Sequence, residues 1–248
     1  MFPLITDMKI YTKQRNGNCR IFSIFGLKFT YTKRQKHFPK SVRFHSFDFK
    51  LVKARILRKY WPVFESISDG DICIDCGCNA GAVSDVFLHK GALTYAFEPH
   101  PDLFQELSKK YDAEPKIRLF HVAVWDRNTR KTLHVQKTEG ISTFNLEGTT
   151  IFCNRIDAEV ESICDVEVID LIEFVNRLDA RVNILKIDVE GAEFEIIDKL
   201  LDSGAYAKID HVFCETHPHF FPDGSERLEN LERRIQQMGV ENIHLDWV

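Results

Sequence analysis

DICIDCGCNAG, residues 71–81, is an apolar run that ends in an acid and continues into a loop with two glycines. The run Asp71–Asp75 has the composition of a strand that is buried on both faces of a parallel sheet. Gly77 and Gly81 permit a sharp turn after the strand, and helical spacing begins near Ala82. The stretch therefore predicts a strand, a loop and a helix whose positive N-terminal end is directed at a ligand.

Strand-like and helix-like segments alternate from this stretch to the C-terminus. Leu93–Glu98 and Val182–Val189 are apolar runs typical of buried strands, and a segment with helical spacing follows each of them. Ile117–Val124 is predicted as a further strand, and residues 131–169 as an inserted set of strands. This alternation favours a Rossmann-like α/β fold, in which helices cover both faces of a doubly wound, mostly parallel sheet.

Glu98 comes at the end of the second predicted strand, 23 positions after Asp75. A carboxylate at that point of a Rossmann-like unit can accept hydrogen bonds from two ribose hydroxyls of a cofactor. Together, the glycine loop, the helix and the acid predict a cofactor site rather than a tight structural turn.

Charge distinguishes two classes of cofactor. A nicotinamide dinucleotide places an anionic pyrophosphate on a loop with three glycines, whereas this loop has two, and Asp75 would repel phosphate. S-adenosylmethionine carries an ammonium and a sulfonium group, which nearby carboxylates attract. We therefore expect an S-adenosylmethionine-dependent enzyme. The alternatives are an NAD-dependent oxidoreductase and a non-catalytic nucleotide-binding module.

Further acids and a histidine follow two of the later strands. Asp188 and Glu190 lie at the end of the run Val182–Val189, and His217 follows the next strand. The carboxyl ends of parallel strands meet at one edge of the sheet, so we expect these side chains to lie together. An alcohol acceptor loses a proton as its oxygen attacks a methyl carbon, and His217, or in second place Asp188, could accept it. A Mg²⁺ ion held by Asp188, Glu190 and Glu215 is an alternative that we do not favour.

The motifs together resemble the FkbM family of methyltransferases. The resemblance is carried by DCGCNAG, by AFEPHP around Glu98, by HVAV near residue 122 and by LKIDVEGAEFEII, and it covers roughly residues 70–217. It implies a class I methyltransferase fold and methyl transfer to oxygen, usually on sugars or polyketide-type hydroxyls. The cysteines at positions 76 and 78 depart from the family's pattern, which more often has small apolar residues there.

The resemblance also implies roles for individual residues. By position, the methionine part of the cofactor would be held by Asp75, Gly77, Asn79 and Gly81. Glu98 would hold the ribose, and the backbone near Ala123 would approach the adenine. Asp188 and Glu190 would face the methyl-transfer site.

The first 60 residues differ in charge from the rest of the chain. They hold 15 lysine and arginine residues and two acids, a net charge of +13, whereas the remainder carries −17. Cys19–Thr32 predicts a small hairpin and Phe49–Trp61 a helix. We therefore predict a basic N-terminal arm over residues 1–60 and a methyltransferase domain over residues 61–248.

The basic arm has three interpretations. It could attract an anionic acceptor such as a sugar phosphate, contact a membrane surface peripherally, or form an oligomer by pairing with the acidic body of a second copy. No nucleic-acid reader motif accompanies the charge, so we expect no specific nucleic-acid partner. The expected substrate is a small-molecule or carbohydrate acceptor, whose identity the sequence does not specify.

The seven cysteines are not spaced as a disulfide framework. Cys73, Cys76 and Cys78 lie close together, but no second Cys/His pair follows at the spacing of a zinc ribbon. Reduced thiols are therefore expected, and no metal ligand is predicted. No run approaches the ~20 apolar residues that cross a bilayer, and the N-terminus lacks the pattern of a signal peptide. These features predict a cytoplasmic protein.

Overall fold

The computed structural model describes residues 59–136, 149–153, 155–157 and 159–247, and the backbone of three earlier strands. The chain divides into two units, residues 1–43 and 44–248. In the first unit, β1 (Tyr11–Asn16), β2 (Cys19–Ile24) and β3 (Leu27–Thr32) form an antiparallel sheet in that order. β2 and β3 are the two strands of the hairpin predicted from the sequence. Residues 33–58 lie outside the described residues, so the arm boundary at residue 60 stays a prediction.

The second unit alternates strands and helices. In chain order its elements are α1 (59–66), β4 (Ile72–Cys76), α2 (Ala82–His89), β5 (Leu93–Phe97), α3 (Pro101–Lys110), β6 (Ile117–Phe120), β7 (Ala123–Trp125), β8 (Thr129–Gln136), β9 (Val160–Asp170), α4 (Leu171–Arg177), β10 (Val182–Ile187), α5 (Glu193–Ser203), β11 (Ile209–Cys214), α6 (Gly224–Met238) and β12 (Ile243–His244). Two short 3₁₀ turns, Ala205–Lys208 and Pro218–Phe220, flank β11.

Six strands form the central sheet, in the order β12-β11-β10-β4-β5-β6. Every neighbouring pair is parallel. The chain builds outward from β4 to β6, then returns through β10 to the other side of β4. The carboxyl ends of β4 and β10 therefore flank the point where the strand order reverses, which is where open α/β sheets bind ligands. The predicted Rossmann-like fold is confirmed.

A smaller sheet of three strands, in the order β7-β9-β8, lies outside the central one. β8 and β9 are the strands predicted for the insertion. The structure corrects one element: the run Ile117–Val124, predicted as a single strand, is divided. Its first half, β6, pairs with β5, whereas Ala123 and Val124 pair with β9 in the smaller sheet. Both halves are apolar, and periodicity alone does not show which sheet each half joins.

The end of α1 packs into the core of the second unit. Tyr60 contacts Phe213 with ring centroids 4.6 Å apart, and Phe64 stacks on Trp247 at 5.7 Å. Burial of such aromatic rings is a large apolar contribution to stability. Residues 59–66 therefore belong structurally with the sheet. In the part of the chain that the structure describes, no helix is both long and apolar enough to span a bilayer.

Candidate functional site

A cavity lies at the carboxyl ends of β4, β5 and β10. Its walls come from the glycine loop, the ends of β5 and β10, and the smaller sheet. The lining residues are Gly77, Asn79, Phe97, Glu98, Pro99, Leu103, Val122, Ala123, Val124, Leu133, Thr149, Ile151, Asp188, Val189 and Glu190.

Glu98 is fixed on this cavity by two backbone hydrogen bonds. The amide of Asn79 donates to its Oε2 at 2.8 Å, and the amide of His100 donates to its Oε1 at 2.9 Å. Burial raises the pKa of Glu98 to about 7, although both hydrogen bonds act in the opposite direction. Each carboxylate oxygen has two lone pairs. Both oxygens can therefore accept a further hydrogen bond from a ligand hydroxyl, as the predicted ribose contact requires.

Gly77 and Asn79 of the loop line the cavity as predicted. Gly77 has φ +70°, and a Cβ there would lie 1.8 Å from the carbonyl oxygen of Asp188. The glycine is therefore required by the close approach of the end of β10 to the loop. Asn79 has φ +48°, a left-handed conformation that asparagine tolerates better than most residues.

Gly81 does not line the cavity, contrary to the prediction. It precedes α2 with φ +77°, and a Cβ there would lie 2.2 Å from the hydroxyl oxygen of Tyr111. That hydroxyl donates a hydrogen bond to the carbonyl of Gly81 at 3.0 Å. The glycine is needed for contact with the end of α3, and the ligand contact assigned to it is not supported.

Asp75 is also placed differently from the prediction. Its side chain is fully buried beneath the loop and is not part of the cavity wall. The hydroxyl of Ser84 donates to its Oδ2 at 2.7 Å, and the Nζ of Lys186 lies 3.3 Å from its Oδ1. Asp75 precedes the loop on β4, so its side chain supports the loop from below. The carboxyl groups that line the cavity are those of Glu98, Asp188 and Glu190.

An apolar surface forms part of the cavity lining. It consists of Leu103 on α3 and the segment Val122–Val124, which includes Ala123. Such a surface suits the flat, largely apolar face of an adenine ring. Ala123 therefore lines the cavity, and its contact with adenine stays a prediction.

Asp188, Glu190 and His217 lie together at the far end of the cavity. The imidazole Nε2 of His217 is 3.6 Å from Oε2 of Glu190, and its Nδ1 is 2.9 Å from Oε1 of Glu193. His217 is itself buried behind Glu190 and is not part of the cavity wall. Glu190 has φ +57°, and the hydroxyl of Thr150 donates to its carbonyl oxygen at 2.6 Å.

The charge states at this end of the cavity change the predicted roles. Burial alone would lower the pKa of His217, but the hydrogen bond to Glu193 and the charges of Glu193 and Glu190 outweigh it and raise the pKa to about 9. At neutral pH the ring is therefore protonated and cannot accept a proton. Burial raises the pKa of Glu190 to about 7, although His217 opposes this. Glu190 rather than His217 is the group suited to accept a proton.

Glu193 is the hydrogen-bond partner of His217, a role that sequence reasoning misses. In the sequence it is the third of three carboxylates within six positions, and it either needs a partner when buried or complements the positive start of α5. In the structure it is fully buried and accepts hydrogen bonds from the amides of Val189 and Gly191 at 3.1 and 2.9 Å. It therefore fixes the turn after β10 and the orientation of His217 at once. Its signal in the sequence is the third acid of DVEGAE.

The same end of the cavity has donors of the kind that bind divalent cations. One ligand atom each from Asp188, Glu190 and His217 lie within 4.8 Å of one another. This set differs from the alternative derived from sequence, which has Glu215 in place of His217. Two cationic groups lie against these acids, since Lys186 Nζ is 3.3 Å from Asp188 Oδ2 and His217 is protonated at neutral pH. Binding of a cation by this set would therefore require loss of the proton of His217.

Comparison with known proteins identifies the domain. The sequence profile of the methyltransferase FkbM domain matches residues 75–241. No curated protein matches the chain in sequence.

Solved structures with related folds include two methyltransferases. A candidate rRNA methylase from Clostridium thermocellum is 8% identical, with a TM-score of 0.41 over 75% of this chain and 80% of that one. The precorrin-6y C5,15-methyltransferase from Geobacter metallireducens GS-15 is 12% identical, with a TM-score of 0.34 over 70% and 71%. At these values, the family assignment rests on the FkbM profile.

Proposed function

Because the chain belongs to the FkbM family of methyltransferases, we propose that it transfers a methyl group from S-adenosylmethionine to a hydroxyl of a sugar or glycan precursor. The observation that carries the proposal is that one cavity is lined both by Glu98, a carboxylate suited to a ribose, and by Glu190, a carboxylate suited to accept a proton. The methyl donor and the acceptor hydroxyl would meet beside Asp188 and Glu190.

The residues present fit the proposed cofactor. Glu98 offers two oxygens for the ribose hydroxyls, and the apolar segment Val122–Val124 offers a surface for the adenine. The ammonium and sulfonium groups are positive, and Asp188 and Glu190 place carboxylates at the end where they would lie. When bound, S-adenosylmethionine supplies a methyl group activated for displacement.

The chain's own residues would provide positioning and proton removal. A displacement at carbon is fastest when the attacking oxygen and the methyl carbon are held close and in line. The hydroxyl proton passes to an oxygen of Glu190, whose pKa near 7 suits acceptance at neutral pH. The protonated His217, held by Glu193, then stabilises the position of Glu190 without receiving the proton itself.

Two features support a polar acceptor. The hydroxyl of Thr149 lines the cavity, is buried, and has no hydrogen-bond partner among the described residues. A buried hydroxyl of this kind is satisfied when a bound ligand supplies a polar group. The +13 charge of residues 1–60 suits an anionic acceptor such as a nucleotide-linked sugar.

The test is a methyl-transfer assay with S-adenosylmethionine and a panel of nucleotide-linked sugars, sugar phosphates and glycans. Mass spectrometry would detect the gain of one CH₂ group on the acceptor. Removal of a general base typically costs about 10²- to 10⁴-fold in rate, so Glu190→Gln should lower kcat by that factor. Glu241→Gln, at an exposed position, is the matched control. Methylation of nitrogen or carbon acceptors alone, or full activity of Glu190→Gln, would overturn the proposal.

A further inference from the structure

Lys186 is a buried lysine on the central strand β10 that the proposed reaction does not use. Its side chain is 3% exposed. The ammonium Nζ donates to the carbonyls of Gly77 at 2.8 Å and Cys76 at 3.2 Å. It also lies 3.3 Å from Oδ1 of Asp75 and 3.3 Å from Oδ2 of Asp188. Four oxygens, from β4, the loop after β4 and the first residue after β10, thus converge on the ammonium group.

The environment keeps this lysine charged. Burial by itself lowers the pKa of a lysine, but the charges of Asp188 and Asp75 outweigh burial and raise the pKa of Lys186 above its ordinary value. Asp75 is fully buried, so it depends on this cation. The side chain of Asp188 is 18% exposed and faces the cavity, where solvent or a ligand can also reach it.

The contacts of Lys186 reach both walls of the cavity. Gly77 belongs to the loop after β4, and Asp188 is the first residue after β10; both line the cavity. The two strands already pair through their backbones, with Asp75 opposite Lys186 and Cys76 opposite Ile187. Cohesion of the sheet therefore does not require an ammonium group at this position. The ammonium instead ties the orientation of the Asp188 carboxylate to the loop.

We propose that Lys186 is a positioning residue that fixes the Asp188 carboxylate and the loop of Gly77 against each other, so that they receive the cationic methionine end of the cofactor. This inference rests on the proposed function, since it assigns that end of the cavity to S-adenosylmethionine. It predicts that the lysine contributes to cofactor affinity separately from its contribution to stability.

The test compares Lys186→Met with the double variant Asp75→Asn/Lys186→Met. The single variant leaves Asp75 as an uncompensated buried charge, so its melting temperature should fall steeply. The double variant removes that charge, and only the partly exposed Asp188 remains, so much of the melting temperature should return. Calorimetric titration of the double variant with S-adenosylmethionine should still show affinity at least about tenfold below that of the intact protein, as expected for loss of a charge-assisted contact. Asp75→Asn alone is the reference, and the difference in affinity between it and the double variant gives the contribution of Lys186.

Hydrogen exchange provides a readout without any ligand. The amides of residues 77–79 should exchange faster in the double variant than in Asp75→Asn, because the loop has lost its link to β10. If these amides exchange faster in the double variant but the intact protein does not bind S-adenosylmethionine, the proposed function is wrong and the positioning role of Lys186 remains supported. If the double variant regains both melting temperature and affinity, or if loss of Lys186 tightens cofactor binding, the positioning role is wrong.

Discussion

At the residue scale, the proposed reaction depends on the charge states of Glu190 and His217. Three acids, Asp188, Glu190 and Glu193, surround one imidazole, and the pKa values of both Glu190 and His217 are raised. The histidine therefore keeps its proton, and the adjacent carboxylate is near the midpoint of its titration at neutral pH. At neutral pH, Glu190 can therefore accept a proton from a ligand while the adjacent imidazole remains charged.

The charge of His217 predicts how stability depends on pH. Its pKa rises from 6.5 to about 9 on folding, so the stabilisation is fully present below pH 6.5 and is lost as the pH rises through 9. Thermal unfolding of the ligand-free protein should therefore show a melting temperature that decreases as the pH is raised from 6.5 to 9. His217→Gln should lower the melting temperature at pH 6 and flatten the dependence between pH 6.5 and 9. An equally steep fall in that variant would contradict the assignment.

Metal dependence offers a second test at this scale. Since the imidazolium of His217 lies beside Glu190 and the ammonium of Lys186 beside Asp188, we expect methyl transfer to continue after dialysis against EDTA. The rate should agree within about twofold with that of untreated protein, because no step of proton transfer then needs an ion. Loss of activity in EDTA that Mg²⁺ or Mn²⁺ restores would show instead that Asp188, Glu190 and His217 hold a cation.

Sequence reasoning finds the site residues that follow strands and misplaces those that do not. Glu98, Asp188 and Glu190 come directly after strand ends, where topology alone brings them to one edge. Asp75 lies within β4, and its direction depends on the pleat and on the position of Ser84. The protonation state of His217 is harder to predict from the sequence than its position. It depends on Glu193, and only the fold brings Oε1 of Glu193 within 2.9 Å of Nδ1 of His217.

At the element scale, the inserted segment shapes the site from outside the central sheet. Thr150 pairs with His134 of β8 as an isolated bridge, and its hydroxyl holds the carbonyl of Glu190. The same hydroxyl accepts a hydrogen bond from the amide of Phe152 at 3.1 Å. Glu190 is thereby held at positive φ, which costs a non-glycine residue on the order of 1–3 kcal/mol unless its surroundings enforce it.

Removal of that hydroxyl should release Glu190. Thr150→Val keeps the side chain's shape but leaves two polar backbone groups unpaired, a cost of about 1–3 kcal/mol each. We expect kcat to fall about tenfold or more, because misplacement of the proposed proton acceptor affects the rate. Thr150→Ser retains the hydroxyl and should be near normal. Steady-state kinetics would refute this role if Thr150→Val lost stability but kept its kcat.

The elements themselves were largely predictable, since the period of apolar residues marks each strand and helix of the second unit. The exception is the run over residues 117–124, for which the period of apolar residues does not show which sheet each half joins. Its two halves have similar composition, yet β6 joins the central sheet and β7 joins the smaller one. Which strands pair depends on contacts with β9, more than 30 residues further along the chain.

At the scale of the whole molecule, charge and cofactor site are separated along the chain. The basic surplus lies within residues 1–60, whereas the lining of the described cavity comes wholly from residues between Gly77 and Glu190. The two regions therefore have separable roles. Sequence composition predicts this separation but not the purpose of the arm, since net charge alone suits an anionic acceptor, a membrane surface or a second copy of the chain.

Deletion of residues 1–43 should separate these roles. We expect the variant to bind S-adenosylmethionine within about twofold of the intact protein, because the described residues that line the cavity all lie between Gly77 and Glu190. The acceptor KM or the oligomeric mass should change at low salt and converge with that of the intact protein at high salt. A large loss of cofactor affinity would place part of the arm at the cavity.

The most direct test of the central claim is calorimetric titration with S-adenosylmethionine and, in parallel, with NAD⁺. The account predicts one binding event for S-adenosylmethionine, weakened about 10- to 100-fold in Glu98→Gln because a hydrogen bond to a charged group is lost, and no detectable heat for NAD⁺. Binding of NAD⁺ in preference to S-adenosylmethionine, or equal affinity of the Glu98→Gln variant, would contradict it.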